Sequence, residues 1–150
     1  MDKPHGCDLR KGRVSLTDQV YLITTATSNR RPIFTNLKCA RALIRVMLGE
    51  SKNVETLAFV VMPDHLHWML QLTTESSLDG IVQRMKSISS HKINKLLNRS
   101  GSIWQAGFHD HALRRDEDLR QVAEYVIQNP VRAGLVKHIG EYPHWDGYWL

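Results

Sequence analysis

Val61-Met62-Pro63-Asp64-His65-Leu66-His67-Trp68-Met69-Leu70 is the stretch that decides how the chain is read. Pro63-Asp64 divides it into the end of one strand and the start of another. So short a link makes the two strands antiparallel neighbours. Side chains alternate between the faces of a strand. His65 and His67, with Met69 and Gln71 behind them, therefore point one way, and Leu66, Trp68, Leu70 and Leu72 point the other. One face is apolar and suits a core; the other carries two imidazoles about 6–7 Å apart at the backbone. Such a pair can converge on one divalent ion, although two histidines on a solvated strand face would give the same short pattern.

Upstream, residues 19–27 (Gln-Val-Tyr-Leu-Ile-Thr-Thr-Ala-Thr) are rich in β-branched and aromatic side chains and read as a strand. After a polar turn at 28–32, Thr35 or Asn36 can cap a helix. Leu37, Ala40, Leu43 or Ile44, and Met47 follow at helical spacing to about Leu48, and Gly49 suits its end. Leu57 to Met62 forms the strand that turns at Pro63-Asp64. Downstream, Ser76-Ser77 opens a long helix over roughly 78–98, with Ile81, Met85, Ile88, Ile93 and Leu96 or Leu97 as its buried stripe. Ser100-Gly101-Ser102 breaks it, and Phe108 to Leu113 is a fourth strand closed by Arg114-Arg115. Asp116 is placed to cap a third helix, with Glu117 and Asp118 in its first turn. That helix should stop near Gln128, because Pro130 disfavours helix at the residue before it. Strand, helix, strand, strand, helix, strand, helix is an α+β arrangement: a ferredoxin-like split β-α-β, with an antiparallel sheet, helices on one face and one additional C-terminal helix. The expected organisation is a basic arm over 1–18, one domain over 19–136 and an aromatic tail over 137–150. In the tail, Tyr142, Trp145, Tyr148 and Trp149 cover the sheet or a helix, or stack on bases.

With 150 residues the chain suits one domain with a sizeable core. No apolar run approaches the roughly 20 residues of a membrane helix, and residues 1–6 lack the apolar centre of a signal peptide. No membrane contact and a cytoplasmic location are expected. Cys7 and Cys39 then read as free thiols, Cys39 within a helix. A net charge of +5 with 8 histidines permits a polyanionic partner. Arg10, Lys11 and Arg13 form either a loose tail or an arm on a phosphate backbone. Between Ile81 and Gly101 the chain carries Arg84, Lys86, Lys92, Lys95 and Arg99 with no acid, and His91, Lys95 and Arg99 fall about one turn apart. Charge runs usually mark a solvated face. One sign without partners favours nucleic-acid contact, and Arg114 and Arg115 are further candidates.

In the third helix Leu119, Val122, Ala123 and Val126 share one side, while Tyr125 lies about 120° from Leu119 and Asn129 one turn beyond Tyr125. The tyrosine is either a flanking core residue or a nucleophile beside an amide oxygen. A divalent ion on a non-bridging oxygen would neutralise a phosphodiester and orient its phosphorus. A cation near the phenol would ease loss of its proton, which ordinarily leaves near pH 10. Attack gives a phosphotyrosine ester, and a second hydroxyl can rejoin the strand without ATP.

Val61-Met-Pro-Asp-His65-Leu-His67-Trp68 resembles the His-hydrophobic-His motif of the single-tyrosine HUH transposases, and Glu124-Tyr125-Val-Ile-Gln-Asn129-Pro-Val-Arg-Ala-Gly-Leu-Val136 resembles their tyrosine helix and the loop after it. With Gly12-Arg13-Val14, Trp104-Gln-Ala-Gly-Phe-His-Asp110 and Tyr142-Pro-His-Trp145, the match is closest to the REP-associated tyrosine transposases and spans nearly the whole chain. The resemblance implies an HUH single-tyrosine transposase domain in which His65 and His67 bind Mg²⁺ or Mn²⁺. It implies that Tyr125 attacks single-stranded DNA to leave a 5′-phosphotyrosine and a free 3′-hydroxyl. It also implies palindromic hairpins of the REP type as partners and a monomer, with a dimer as the alternative. The insertion-sequence branch typically has a glutamine as third ligand one turn after the tyrosine. Here that position is Asn129, with Gln128 out of phase and His109 and His111 as rivals. A non-catalytic single-stranded nucleic-acid-binding module on the same fold, and a metal hydrolase that uses water, are the competing readings.

Overall fold

The computed structural model describes residues 17–114 and 117–149. Its elements are β1 (Val20–Ala26), α1 (Leu37–Leu48), β2 (Val54–Met62), β3 (His65–Leu72), α2 (Leu78–Leu97), β4 (His109–Ala112), α3 (Leu119–Ile127), a single turn α4 (Asn129–Arg132) and β5 (Trp145–Gly147). The sheet order is β4-β1-β3-β2-β5, and every neighbouring pair is antiparallel. The β1-to-β4 portion is the ferredoxin-like arrangement expected from the order of elements.

The alternation in β3 sorts the two layers. Leu66, Trp68, Leu70 and Leu72 join Ala40, Leu43 and Met47 of α1 and Leu78, Ile81 and Met85 of α2 in the larger core. Trp68 is fully buried there, and its Nε1 donates to Thr56 Oγ1 at 3.0 Å, as a buried indole requires. On the other face, Met69, Leu57 and Ala58 pack with Ala123 and Ile127 of α3, and Val60 and Met62 pack with Val126. A register shift between Thr56 and Ala58 brings both Leu57 and Ala58 to this side. The tyrosine helix thus lies across the sheet face that carries His65 and His67.

Several local expectations are corrected. Of the two capping candidates it is Asn36 that caps α1, accepting from the amides of Lys38 and Cys39, whereas Leu37, read as part of the apolar spacing, is 45% exposed. In α2 the buried stripe is Leu78, Ile81, Val82, Met85, Ser89 and Ile93, whereas Ile88, Leu96 and Leu97 are exposed. Ser89 takes the place expected of Ile88 because Trp104 needs an acceptor there: its Nε1 donates to Ser89 Oγ at 3.0 Å. Leu96 keeps the helical phase of the stripe but sits in the last turn, past the core. Asp118 is the α3 cap, accepting from the Gln121 amide at 3.2 Å, and Asp116 lies outside the described residues. The tail holds an unexpected fifth strand on the β2 edge. Trp145 and Trp149 pack beneath α3, Tyr142 Oη donates to the Val61 carbonyl at 2.6 Å, and Tyr148 is 70% exposed. Cys39 is buried and free, and Cys7 lies outside the described residues. No described helix is long and apolar enough to cross a membrane.

Candidate active site

The β2–β3 turn builds the first half of the site. His65 and His67 are half-buried, with ring centroids 4.8 Å apart and ring planes perpendicular. His65 Nδ1 donates to Asp64 Oδ1 at 2.7 Å, and His67 Nδ1 shares a hydrogen bond with Thr24 Oγ1 at 3.0 Å. Both rings are fixed through Nδ1, which leaves Nε2 on each for a ligand, the arrangement that outer partners impose on metal-binding imidazoles. The spacing fits a shared ion. With a metal–nitrogen bond of about 2.1 Å, each ring centroid sits roughly 3.2 Å from the ion. Two such rings at right to tetrahedral angles lie about 4.5–5.2 Å apart, which brackets the observed separation.

Asp64 is itself held in place. Arg30 Nε donates to its Oδ2 at 2.9 Å, and its carbonyl accepts from both the amide and the hydroxyl of Thr27. Asn29 and Arg30 adopt positive φ of 56° and 54°, a backbone shape uncommon outside glycine. Burial alone would raise the Asp64 carboxyl, but hydrogen bonding and charge from His65 and Arg30 outweigh it and hold the group below its ordinary value. His67 is lowered to about 4, first by burial and then by the positive surroundings of His65, Arg132 and Arg30. Its imidazole is therefore neutral at physiological pH, the form that binds a metal.

The second half of the site comes from α3 and α4. Tyr125 is 67% exposed, off the apolar side as its helical phase requires. The helix ends at Gln128, where ψ is near 1°, and restarts at Asn129 with Pro130 in its first turn. Asn129 is half-buried, and its Nδ2 donates to the Val126 carbonyl at 2.7 Å, which leaves Oδ1 as its remaining ligand atom. The Arg132 guanidinium sits 3.9 Å from the centre of the Tyr125 ring. Gln128 instead lines a shallow groove of about 460 Å³ with Tyr125, Arg132, Ile139 and Trp145. Among the described residues no group of three or more His, Cys, Asp or Glu side chains is placed to hold a metal ion; the Asn129 amide oxygen is a candidate donor of another type.

The remaining candidates are spread more widely. His109 pairs with Thr24, which pairs with His67, so all three share one row of the sheet face. Two strand spacings, about 10 Å, separate the His109 and His67 backbones, and His109 is exposed where His65 and His67 are half-buried. His111 is 61% exposed, 3.5 Å from Glu117. The helix α2, which carries the acid-free run beyond Ile81 and one acid, Asp79, in its first turn, lies in the layer opposite the histidines. Within it, Arg84 pairs with Glu50 through two hydrogen bonds of 2.9 and 3.1 Å. Lys86 Nζ donates to the carbonyls of Gln105 and Gly107 and is lowered to about 8 by burial. His91, Lys92 and Lys95 are exposed and Arg99 is half-buried. The Arg114 amide donates to Glu117 Oε1 at 3.0 Å, and its guanidinium lies 3.6 Å from the same oxygen. Arg10, Lys11, Arg13 and Arg115 lie outside the described residues. Asp64, Thr24, Arg30 and Arg132 were not among the residues singled out from sequence. Only Asp64 had a visible signal, its position directly before His65.

Residues 15–129 match the sequence model of the IS200-like transposases. An Escherichia coli K12 REP-associated tyrosine transposase is 29% identical over 125 residues, which cover 82% of this chain and 73% of that protein. A Haemophilus influenzae protein assigned as a REP-associated tyrosine transposase is 30% identical over 100 residues, 60% of this chain. The matched region spans 57% of that relative's own length. The solved structure of a REP-associated tyrosine transposase bound to a REP hairpin superposes with a TM-score of 0.74 at 25% identity, covering 97% of this chain and 82% of that one.

Proposed function

Because this chain belongs to the IS200-like transposase family, we propose that it is a divalent-metal-dependent endonuclease and strand transferase. Its substrates are palindromic hairpins in single-stranded DNA, of the kind bound by the REP-associated relative. It works as a monomer with one site per chain. The observation that carries this reading is the pair of perpendicular imidazoles, each anchored at Nδ1, on the sheet face crossed by a helix with an exposed tyrosine.

His65 and His67, through Nε2, and Asn129, through Oδ1, would hold Mg²⁺ or Mn²⁺, which would supply neutralisation of a non-bridging oxygen of the scissile phosphate. Asp64 and Thr24 fix the two rings. Tyr125 Oη attacks phosphorus: the Oη–P bond forms, the P–O3′ bond breaks, the phenolic proton passes to solvent, and the leaving 3′ oxygen takes up a proton. The product is a 5′-phosphotyrosine, and attack by another 3′-hydroxyl reverses the step to join strands. Exposed His91, Lys92 and Lys95, together with the arm at Arg10, Lys11 and Arg13, supply sequence-independent contact with the DNA backbone.

Covalent trapping tests the proposal. A labelled library of single-stranded hairpins is incubated with the protein and Mn²⁺ and run on a denaturing gel. A labelled protein band that is lost in Tyr125→Phe and in EDTA is the expected result. Binding without an adduct would instead identify a non-catalytic nucleic-acid module, and cleavage without an adduct a hydrolase that uses water.

A further inference from the structure

We propose that Arg132 is the phosphate-binding residue of the cleavage step: its guanidinium, stacked on Tyr125 when DNA is absent, takes a non-bridging oxygen of the scissile phosphodiester and holds it against the phenol. The inference rests on the function proposed above and adds a residue to it.

Arg132 ends α4, seven residues after Tyr125. The two lie on either side of the break at Gln128, so it is the restart of the chain at Asn129, not the phase of one helix, that places Arg132 beside the tyrosine. Its long side chain folds back over the tyrosine, and the guanidinium carbon reaches 3.9 Å from the ring centre. The backbone that carries it is fixed: the Arg132 amide donates to the Gln128 carbonyl at 3.0 Å, and Leu135 donates to Pro130 at 2.9 Å around Gly134, whose φ is +76°. The residue is exposed, and no ion pair joins it to any described residue. Its forked N–H donors, whose geometry matches a phosphate, are therefore committed to no carboxylate among the described residues.

The charge balance of the site points the same way. Arg132 stands over the Tyr125 ring, and α4, which carries it, lies against β2, whose Val60 pairs with His67, so the cation beside the nucleophile is on the turn that packs against the histidine half of the sheet. Nearby acids are already engaged: Asp64 by Arg30 and His65, and Glu124 by Arg120 at 3.1 Å. A guanidinium next to an imidazole-held dication is repelled unless an anion lies between them. A phosphodiester is such an anion: one non-bridging oxygen takes the guanidinium, the other would face the ion, and the phosphorus is left open to the phenol, opposite its leaving 3′ oxygen.

The test uses the full chain and the hairpin recovered by covalent trapping. Arg132→Ala and Arg132→Lys are compared with wild type for adduct formation at saturating DNA, after thermal melts confirm that both fold. Removing one donor to a developing oxyanion typically costs about 10²–10³ in rate. Arg132→Ala should lose at least about 100-fold, with Arg132→Lys recovering part of it. Binding of Mn²⁺ without DNA should be unchanged or tighter in both variants. The distinguishing readout is a substrate whose scissile phosphate is a methylphosphonate, which removes one anionic oxygen. Wild type should lose much of its rate on that substrate, while Arg132→Ala should lose little further. A rate for Arg132→Ala within about threefold of wild type, or fully additive losses on the methylphosphonate, would overturn the inference and leave the cleavage mechanism intact. Absence of any Tyr125-dependent adduct in wild type would overturn both.

Discussion

Replacing Arg84 by methionine should weaken folding and leave DNA binding nearly untouched. The Glu50 carboxylate is only 9% exposed and receives Arg84 at 2.9 and 3.1 Å and Asn53 Nδ2 at 3.2 Å. Without the guanidinium, a nearly buried charge keeps a single side-chain donor. Breaking a fully buried pair costs about 3–5 kcal/mol. Arg84 itself is 48% exposed, so water replaces part of what is lost, and about 1–3 kcal/mol is the expected cost. For a chain of this length that is a fall in Tm of about 4–8 °C near the middle of the range. The pair holds the Glu50 carboxyl below its ordinary value despite burial. Its contribution is therefore complete at neutral pH and lost as pH falls below the normal carboxylate range. Thermal melts at pH 7.5 and near pH 3.5 should show the gap between wild type and Arg84→Met shrinking in acid. Binding to a single-stranded hairpin across a salt series should keep its affinity within about twofold and its slope unchanged, because one lost phosphate contact would alter that slope by about one. An unchanged Tm with a tenfold weaker, less salt-dependent complex would refute the reasoning and return Arg84 to the DNA-binding surface.

His67 gives a second, independent pH signature in metal-free protein. Its folded value of about 4 lies below the ordinary 6.5, so the unfolded chain takes up the proton first and stability falls as pH drops from about 6.5 to 4, by at most about 3 kcal/mol. Denaturant midpoints over that range should fall less steeply in His67→Gln than in wild type, and parallel curves would contradict the burial of the neutral ring. Asp118→Ala removes the α3 cap and should cost about 1 kcal/mol. Amide exchange at Gln121 should speed up, while Mn²⁺ binding, which rests on β3 and on Asn129 beyond the far end of α3, should not change.

The period-two pattern over residues 65–72 is legible in the sequence because burial on one face leaves only one register open to a strand. The same holds for the three long helices, whose apolar spacing survives into the structure even where the stripe is rotated by a residue, as at Ser89. What sequence does not disclose is pairing at a distance. The three-residue strand at Trp145–Gly147 has no pattern of its own and exists because β2 offers a free edge. The α2 charge run shows why this matters for function. Read along the chain, Arg84, Lys86, Lys92, Lys95 and Arg99 form one acid-free row. In the fold, the partner of Arg84 comes from 34 residues away, and the carbonyls that hold Lys86 from 19 and 21 residues away. Two of the five cations are thus engaged by the protein, and the free charge of the helix is centred on its second half, at Lys92 and Lys95. Arg132 presents the converse case. It sits outside any charge run, yet it touches the Tyr125 ring, and its field reaches His67. Formal charge counted along a sequence is thus a poor guide to where an anion binds; what decides is which cations the fold has left without a carboxylate or a carbonyl.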